Sequence, residues 1–134
     1  MTLTAAHEMF GRDAASHSLG IELIEAGNGE ARVRMRVTPA MVNGHAVTHG
    51  GYVFLLADTA FACACNSHGP VTVSAGADIS FLRPTRAGDV LVASARQRAA
   101  NGRSGIYDVT VTCEGDVVAE FRGRSRVLRP GPPG

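Results

Sequence analysis

From 52 to 66 the chain reads Tyr-Val-Phe-Leu-Leu-Ala-Asp-Thr-Ala-Phe-Ala-Cys-Ala-Cys-Asn, apolar on every side of a helix and broken by one charge, Asp58. A helix with no polar face is a buried helix. Upstream, residues 4 to about 17 space Ala, Met and Phe at helical intervals before Gly20, which predicts a short amphipathic helix covering an edge. Between 19 and 37 two extended stretches flank Gly27-Asn28-Gly29, and the second, 30–37, alternates polar and apolar residues. That pattern predicts a hairpin with one wet face. Pro39 ends it, and a loop rich in Asn, Gly and His runs on to Gly51. Past Gly69-Pro70, strands are expected at about 71–83, 89–99, 104–114 and 117–127, joined by turns at Pro84, Gly88, Asn101-Gly102 and Gly115-Asp116.

Short turns between successive strands make a sheet antiparallel. With five or six strands and one long buried helix the chain is α+β, its antiparallel sheet wrapped around the helix. A helix that is apolar all round needs more cover than one small sheet gives, so pairing with a second subunit is expected. The length of 134 residues fits one domain, drawn over 1–128, with Arg-Pro-Gly-Pro-Pro-Gly at 129–134 as a flexible tail.

Composition adds exclusions. With 45% apolar and 19% charged residues the chain is globular rather than disordered. A formal net charge of +1 supplies no basic field for nucleic acid, although every basic residue is Arg. No apolar run approaches the roughly 20 residues a bilayer requires, and the first residues carry no basic and apolar leader. No membrane partner and a cytoplasmic location are therefore expected. Three cysteines cannot all pair within one chain, so Cys63, Cys65 and Cys113 read as reduced.

Asp58 is the sharpest feature, because a carboxylate in the middle of an apolar helix is costly without partners. Catalysis is one explanation; a hydrogen bond to nearby backbone, or a wet groove, is the other. Thr48-His49-Gly50-Gly51 precedes the helix, so its Gly N–H groups are free donors at the positive end of the helix dipole, able to hold an oxyanion. Gly allows close approach there; the plainer reading is a turn into the helix. Gly50 and Asp58 are separated by about 12 Å of helix axis, so one helix serves one carbonyl poorly. Two helices packed antiparallel across a two-fold axis would bring Asp58 of one subunit to Gly50 of the other, giving two composite sites per dimer. Asn43 and His49, in the loop before the helix, have a capping or turn role as the alternative to orienting water or donating to substrate. His7, His17 and His45 have no constellation around them, and no set of His and Cys has metal-ligand spacing. No G-x-S-x-G elbow, G-x-G-x-x-G or P-loop is present, which leaves serine-hydrolase, dinucleotide and nucleotide triphosphate readings without support.

The stretch Met41 to Ser67, with Thr48-His-Gly-Gly51 followed by Ala57-Asp-Thr59 and preceded by Asn43, resembles the PaaI-type hotdog thioesterases associated with phenylacetate catabolism. Ile79-Ser-Phe-Leu-Arg-Pro84, Gly105-Ile-Tyr-Asp108 and Phe121-Arg-Gly-Arg-Ser125 support it. The resemblance implies a hotdog fold, an acyl-CoA substrate of the (hydroxy)phenylacetyl or a related aromatic class, no cofactor and no metal, and a dimer of dimers. It implies that the Gly50 amide polarises the thioester carbonyl. Asp58 of the neighbouring subunit acts as nucleophile or general base, assisted by Asn43, His49 and Ser74. It further implies substrate contacts at Gly51, Tyr52, Phe54, Thr59, Phe81 and Pro84, with Arg83, Arg103 and Arg126 as candidates for the coenzyme A phosphates. Two rivals remain: a hotdog 3-hydroxyacyl thioester dehydratase using His49 and Asp58, and a non-catalytic acyl-CoA sensor.

Overall fold

The computed structural model describes residues 3–129; the expected tail beyond Arg129 lies outside the described residues. Two short helices, α1 (Ala5–Gly11) and α2 (Ala14–Ser18), precede a hairpin of β1 (Glu22–Gly27) and β2 (Glu30–Arg36). A 3-10 turn at Pro39–Met41 and a loop lead into the long helix α3 (Gly50–Asn66). Strands β3 (Thr72–Phe81), β4 (Val90–Asn101), β5 (Ser104–Cys113) and β6 (Asp116–Val127) follow. All pair antiparallel in a six-stranded sheet of order β1-β2-β4-β5-β6-β3. The sheet wraps α3, as the resemblance implies for a hotdog domain.

Alternation decides which face turns inward. On β2, Ala31, Val33 and Met35 are buried while Arg32, Arg34 and Arg36 are exposed, as a period of two requires. Leu91, Ala93 and Ala95 of β4 and Tyr107, Val109 and Val111 of β5 continue the inner layer. The β1–β2 turn needs Asn28 and Gly29 at φ 54° and 78°, the left-handed pair that matches strand twist in a two-residue hairpin. The sheet has two edges, and β3 is one of them.

One expectation is corrected. The N-terminal segment is two helices, because the Asp13 side chain accepts from the Ser16 N–H and starts a new helix there. Together they lie against α3 beside β1, with Ala6 and Phe10 turned inward.

Candidate active site

α3 is not covered on all sides. Val53, Leu56, Ala57, Ala60, Phe61 and Ala64 are buried, whereas Gly51, Leu55, Asp58 and Ala62, at helical spacing, form an incompletely covered stripe. Asp58 lies at the middle of that stripe, half-buried. Its carboxyl is pushed above the ordinary carboxylate range, first by burial and then by the like charge of Asp13. Cys63 and Cys65, both free, are pushed up to about 12 by the same burial, so neither supplies a thiolate at neutral pH.

The start of α3 is built by His49. Its Nδ1 accepts from the Gly51 N–H at 3.1 Å, and its carbonyl accepts from Tyr52 N at 3.0 Å. In the neutral ring this places the proton on Nε2, facing away from the cap. Gly51 is thereby occupied as a donor, and the Gly50 N–H is the one left for an incoming oxygen. Gly50 lines a cleft of about 440 Å³ with Val53, Phe81, Arg83 and Pro84. A Cβ on Gly50 would sit 2.9 Å from the Phe81 ring, so any side chain there collides with the cleft wall.

The other expected residues are dispersed. Asn43 organises its own loop: its Oδ1 accepts from His45 N at 2.9 Å and Val47 N at 3.4 Å, leaving Nδ2 as its free group. Tyr52 packs edge-on to His49, and Phe54 edge-on to Phe121. Thr59 turns away from the open stripe and bonds Ser16 at 2.9 Å. Ser74 is exposed beside a bulge on β3. Arg83 reaches Asp116 at 3.3 Å at one end of β3, whereas Arg103 and Arg126 stand at the other end, around Thr72. The ten residues of β3 set the two ends about 30 Å apart.

Sequence reasoning missed two polar devices. Buried Asn66 clamps the end of α3 to β3: its Nδ2 donates to Ala62 O and Thr72 O, and its Oδ1 accepts from Thr72 N. The second is the set Asp13, Ser16 and Thr59; the spacing Asp-Ala-Ala-Ser was the available signal for a cap.

A family model described as the thioesterase superfamily matches residues 45–120. The chain is 47% identical over 121 residues to the acyl-coenzyme A thioesterase PaaI of Escherichia coli (strain K12), covering 90% of this chain and 86% of that one. The solved structure of the Escherichia coli PaaI protein from the phenylacetic acid degradation operon superposes with a TM-score of 0.91 at 45% identity, covering 93% of this chain and 91% of the other. A Streptococcus mutans protein bound to acetyl CoA superposes with a TM-score of 0.77 at 26% identity, over 81% of this chain and 88% of that one.

Proposed function

The chain belongs to the thioesterase superfamily and is a thioester hydrolase, and we propose that it cleaves aromatic acyl-CoA thioesters of the (hydroxy)phenylacetyl class to free acid and coenzyme A, in phenylacetate catabolism in the cytoplasm. The observation that carries the reading is Asp58, one carboxylate centred on an incompletely covered stripe of an apolar helix whose first amide, Gly50, opens on a cleft. The likeness to the acyl-coenzyme A thioesterase supports the substrate class.

Topology supports a composite site. Edge strand β3 leaves its outer backbone groups without a neighbouring strand and exposes Val73 and Phe81, with Val71 and Leu82 just beyond its ends. Two copies joined antiparallel through β3 would lay the Thr72 end of one beside the Phe81 end of the other. Arg103 and Arg126 of one subunit would then meet Gly50 and Arg83 of its partner, and Asp58 would approach the partner's Gly50. Two such dimers make the tetramer.

In that site the thioester oxygen sits on the Gly50 N–H, where fixed donors stabilise developing charge by about 2.7–4 kcal/mol each. As base, Asp58 takes a proton from water as its oxygen attacks the carbonyl; the C–S bond then breaks and the thiolate leaves, to be protonated by the carboxyl. As nucleophile, Asp58 attacks directly and water opens the mixed anhydride. His49 and Asn43 present Nε2–H and Nδ2–H as the remaining donors, and the Ser74 hydroxyl helps to hold the attacking water. Gly51, Tyr52, Phe54, Phe81 and Pro84 shape the acyl side, whereas Thr59, expected there, is buried against Ser16.

A panel of arylacetyl, benzoyl and fatty acyl-CoA esters assayed for thiol release tests the reading. The arylacetyl esters are expected to give the highest kcat/KM. Hydration of a crotonyl thioester without thiol release would favour the dehydratase instead, and tight binding without turnover the sensor. For the assembly, Val73→Asp puts a charge on the β3 edge, and sedimentation is expected to show monomers with turnover lost in step. A wild-type monomer at full activity would sink the composite site.

A further inference from the structure

We propose that Asp13 is a positioning residue of the reaction: its carboxylate anchors two buried hydroxyls that tie α2 to α3 beside Asp58, and it holds a negative charge toward that carboxylate. The inference rests on Asp58 acting as the base.

The chain of contacts has one direction. Ser16 donates its hydroxyl to Asp13 Oδ2 at 2.6 Å and its N–H to Oδ1 at 3.0 Å, so both carboxylate oxygens are engaged. Ser16 and Thr59 are 1% and 6% exposed, with their hydroxyl oxygens 2.9 Å apart. A serine hydroxyl has one proton, and Ser16 has given it to Asp13. Thr59 must therefore donate to Ser16, across to α2 rather than back along its own helix. Charge-assisted bonds of this kind are about twice as strong as neutral ones. Asp13 thus fixes the rotation of α3 at the residue next to Asp58.

The same charge acts through space. Burial raises Asp58 and Cys63 first, and Asp13 pushes both further upward, so its field enters α3 from the α2 side. Other elements packed on α3 offer little to compete with it. β2, β4 and β6 turn Ala31, Val33, Met35, Leu91, Ala93, Ala95, Ala119 and Phe121 inward, and β3 turns Thr72, Ala77 and Ile79. Tyr107 of β5 is neutral at working pH, pushed up to about 12. On β1, Glu22 and Glu25 are exposed and paired with Arg34 and Arg32. On α1, Glu8 is exposed and His7 caps the Thr4 backbone, while His17 of α2 bonds Phe10 O. Cys65, two turns along α3, is a neutral thiol. Asp13 is the anion that adds to burial in raising the proton affinity of Asp58, which makes it a stronger base at neutral pH.

Asp13→Asn removes the charge and keeps the cap, because Asn is as good an N-cap as Asp and its Oδ1 still accepts from the Ser16 N–H, while its Nδ2 donates to the Ser16 hydroxyl, which is then free to donate to Thr59. The measurement is the pH profile of kcat/KM on an arylacetyl-CoA, beside the melting temperature. The acidic limb of Asp13→Asn is expected to move to lower pH by more than its fitting error, with plateau kcat reduced less than about tenfold, short of the loss of a base. Asp13→Ser, a second neutral cap, is expected to move the limb the same way. If both variants fold and the limb stays in place, or if kcat falls only with the melting temperature, the inference is overturned. Asp58→Asn in the same series separates the two failures: if it keeps full activity, Asp58 is not the base and the inference falls with it.

Discussion

Asp58→Asn is expected to lower kcat of thioester hydrolysis at least about a hundredfold, within the 10²–10⁴ range of a lost general base and more if the carboxylate is the nucleophile. Asn keeps the size of the side chain on the open stripe of α3, so packing around Leu55 and Ala62 is undisturbed and the loss reads chemistry. The same variant should be more stable than wild type at neutral pH. The sign follows from the direction of the shift. The folded carboxyl is pushed above its ordinary value by burial and by Asp13, so the fold favours the protonated form. That stabilisation is complete below the ordinary carboxylate pKa of about 3.9 and is lost as pH rises through the higher folded value. At pH 7 Asp58 is therefore a charge the fold resists, and the neutral amide removes it. Denaturant midpoints at pH 7.5 and pH 4, at one protein concentration because association adds to apparent stability, should show the advantage of Asp58→Asn at the higher pH and its shrinkage at the lower. A variant that is inactive and also less stable at pH 7.5 would mean that Asp58 holds the helix in place. Single turnover in labelled water then divides the two chemical roles, since label enters the Asp58 carboxylate only if water opens an anhydride at the enzyme's carbonyl.

The long helix and the strands were legible because burial imposes a period on sequence, whereas the sheet order, which sets β3 beside β6 rather than beside β4, was not. An apolar run broken at one residue, Asp58, has no reading except a buried helix with something to explain, and Asn28-Gly29 or Asn101-Gly102 between alternating stretches permits little but a hairpin. The N-terminal break was not legible by period, since Ala, Met and Phe keep helical spacing through Arg12. What ends α1 is a competition that the Asp13 side chain wins by capping the next turn. The candidate site was legible in its parts and not in its arrangement. Asp58 and Gly50 advertise themselves by chemistry, whereas the Ser16–Thr59 contact joins positions 43 apart in sequence, a distance no local pattern reports. Arg83 and Arg126 show the same limit. Both are basic residues near turns, and only the antiparallel run of β3 against β6 puts them at opposite ends of the molecule.

Phe61→Ala is expected to cost about 3–5 kcal/mol, much of the 5–15 kcal/mol that holds a domain of this kind together, and to lower the melting temperature by roughly 10–20 °C. The ring is 1% exposed and packs 5.7 Å from Tyr107 and 5.9 Å from Phe121. It enters β6 where Gly123 has no side chain: a Cβ there would lie 2.7 Å from the ring. Gly123 is thus the socket that lets α3 settle onto the sheet, and filling it while the ring remains should cost about 1–3 kcal/mol as overpacking. The two changes are not independent. With Phe61 truncated, the space opposite Gly123 is empty, so Gly123→Ala in that background should cost less than it does alone, or restore a little stability by filling part of the cavity. Thermal melts of wild type, both single variants and the double variant close the cycle. Additive losses would mean that ring and glycine do not share the contact that sets the depth of α3. The seating reaches the chemistry through the helix itself. Phe61 lies one turn beyond Asp58, so a ring lost from the socket lets that turn shift against the sheet, and a displacement of about 1 Å at a reacting group is enough to cost on the order of a hundredfold in rate. Phe61→Ala should therefore lose kcat well below its melting temperature, while the conservative Phe61→Leu keeps most of both.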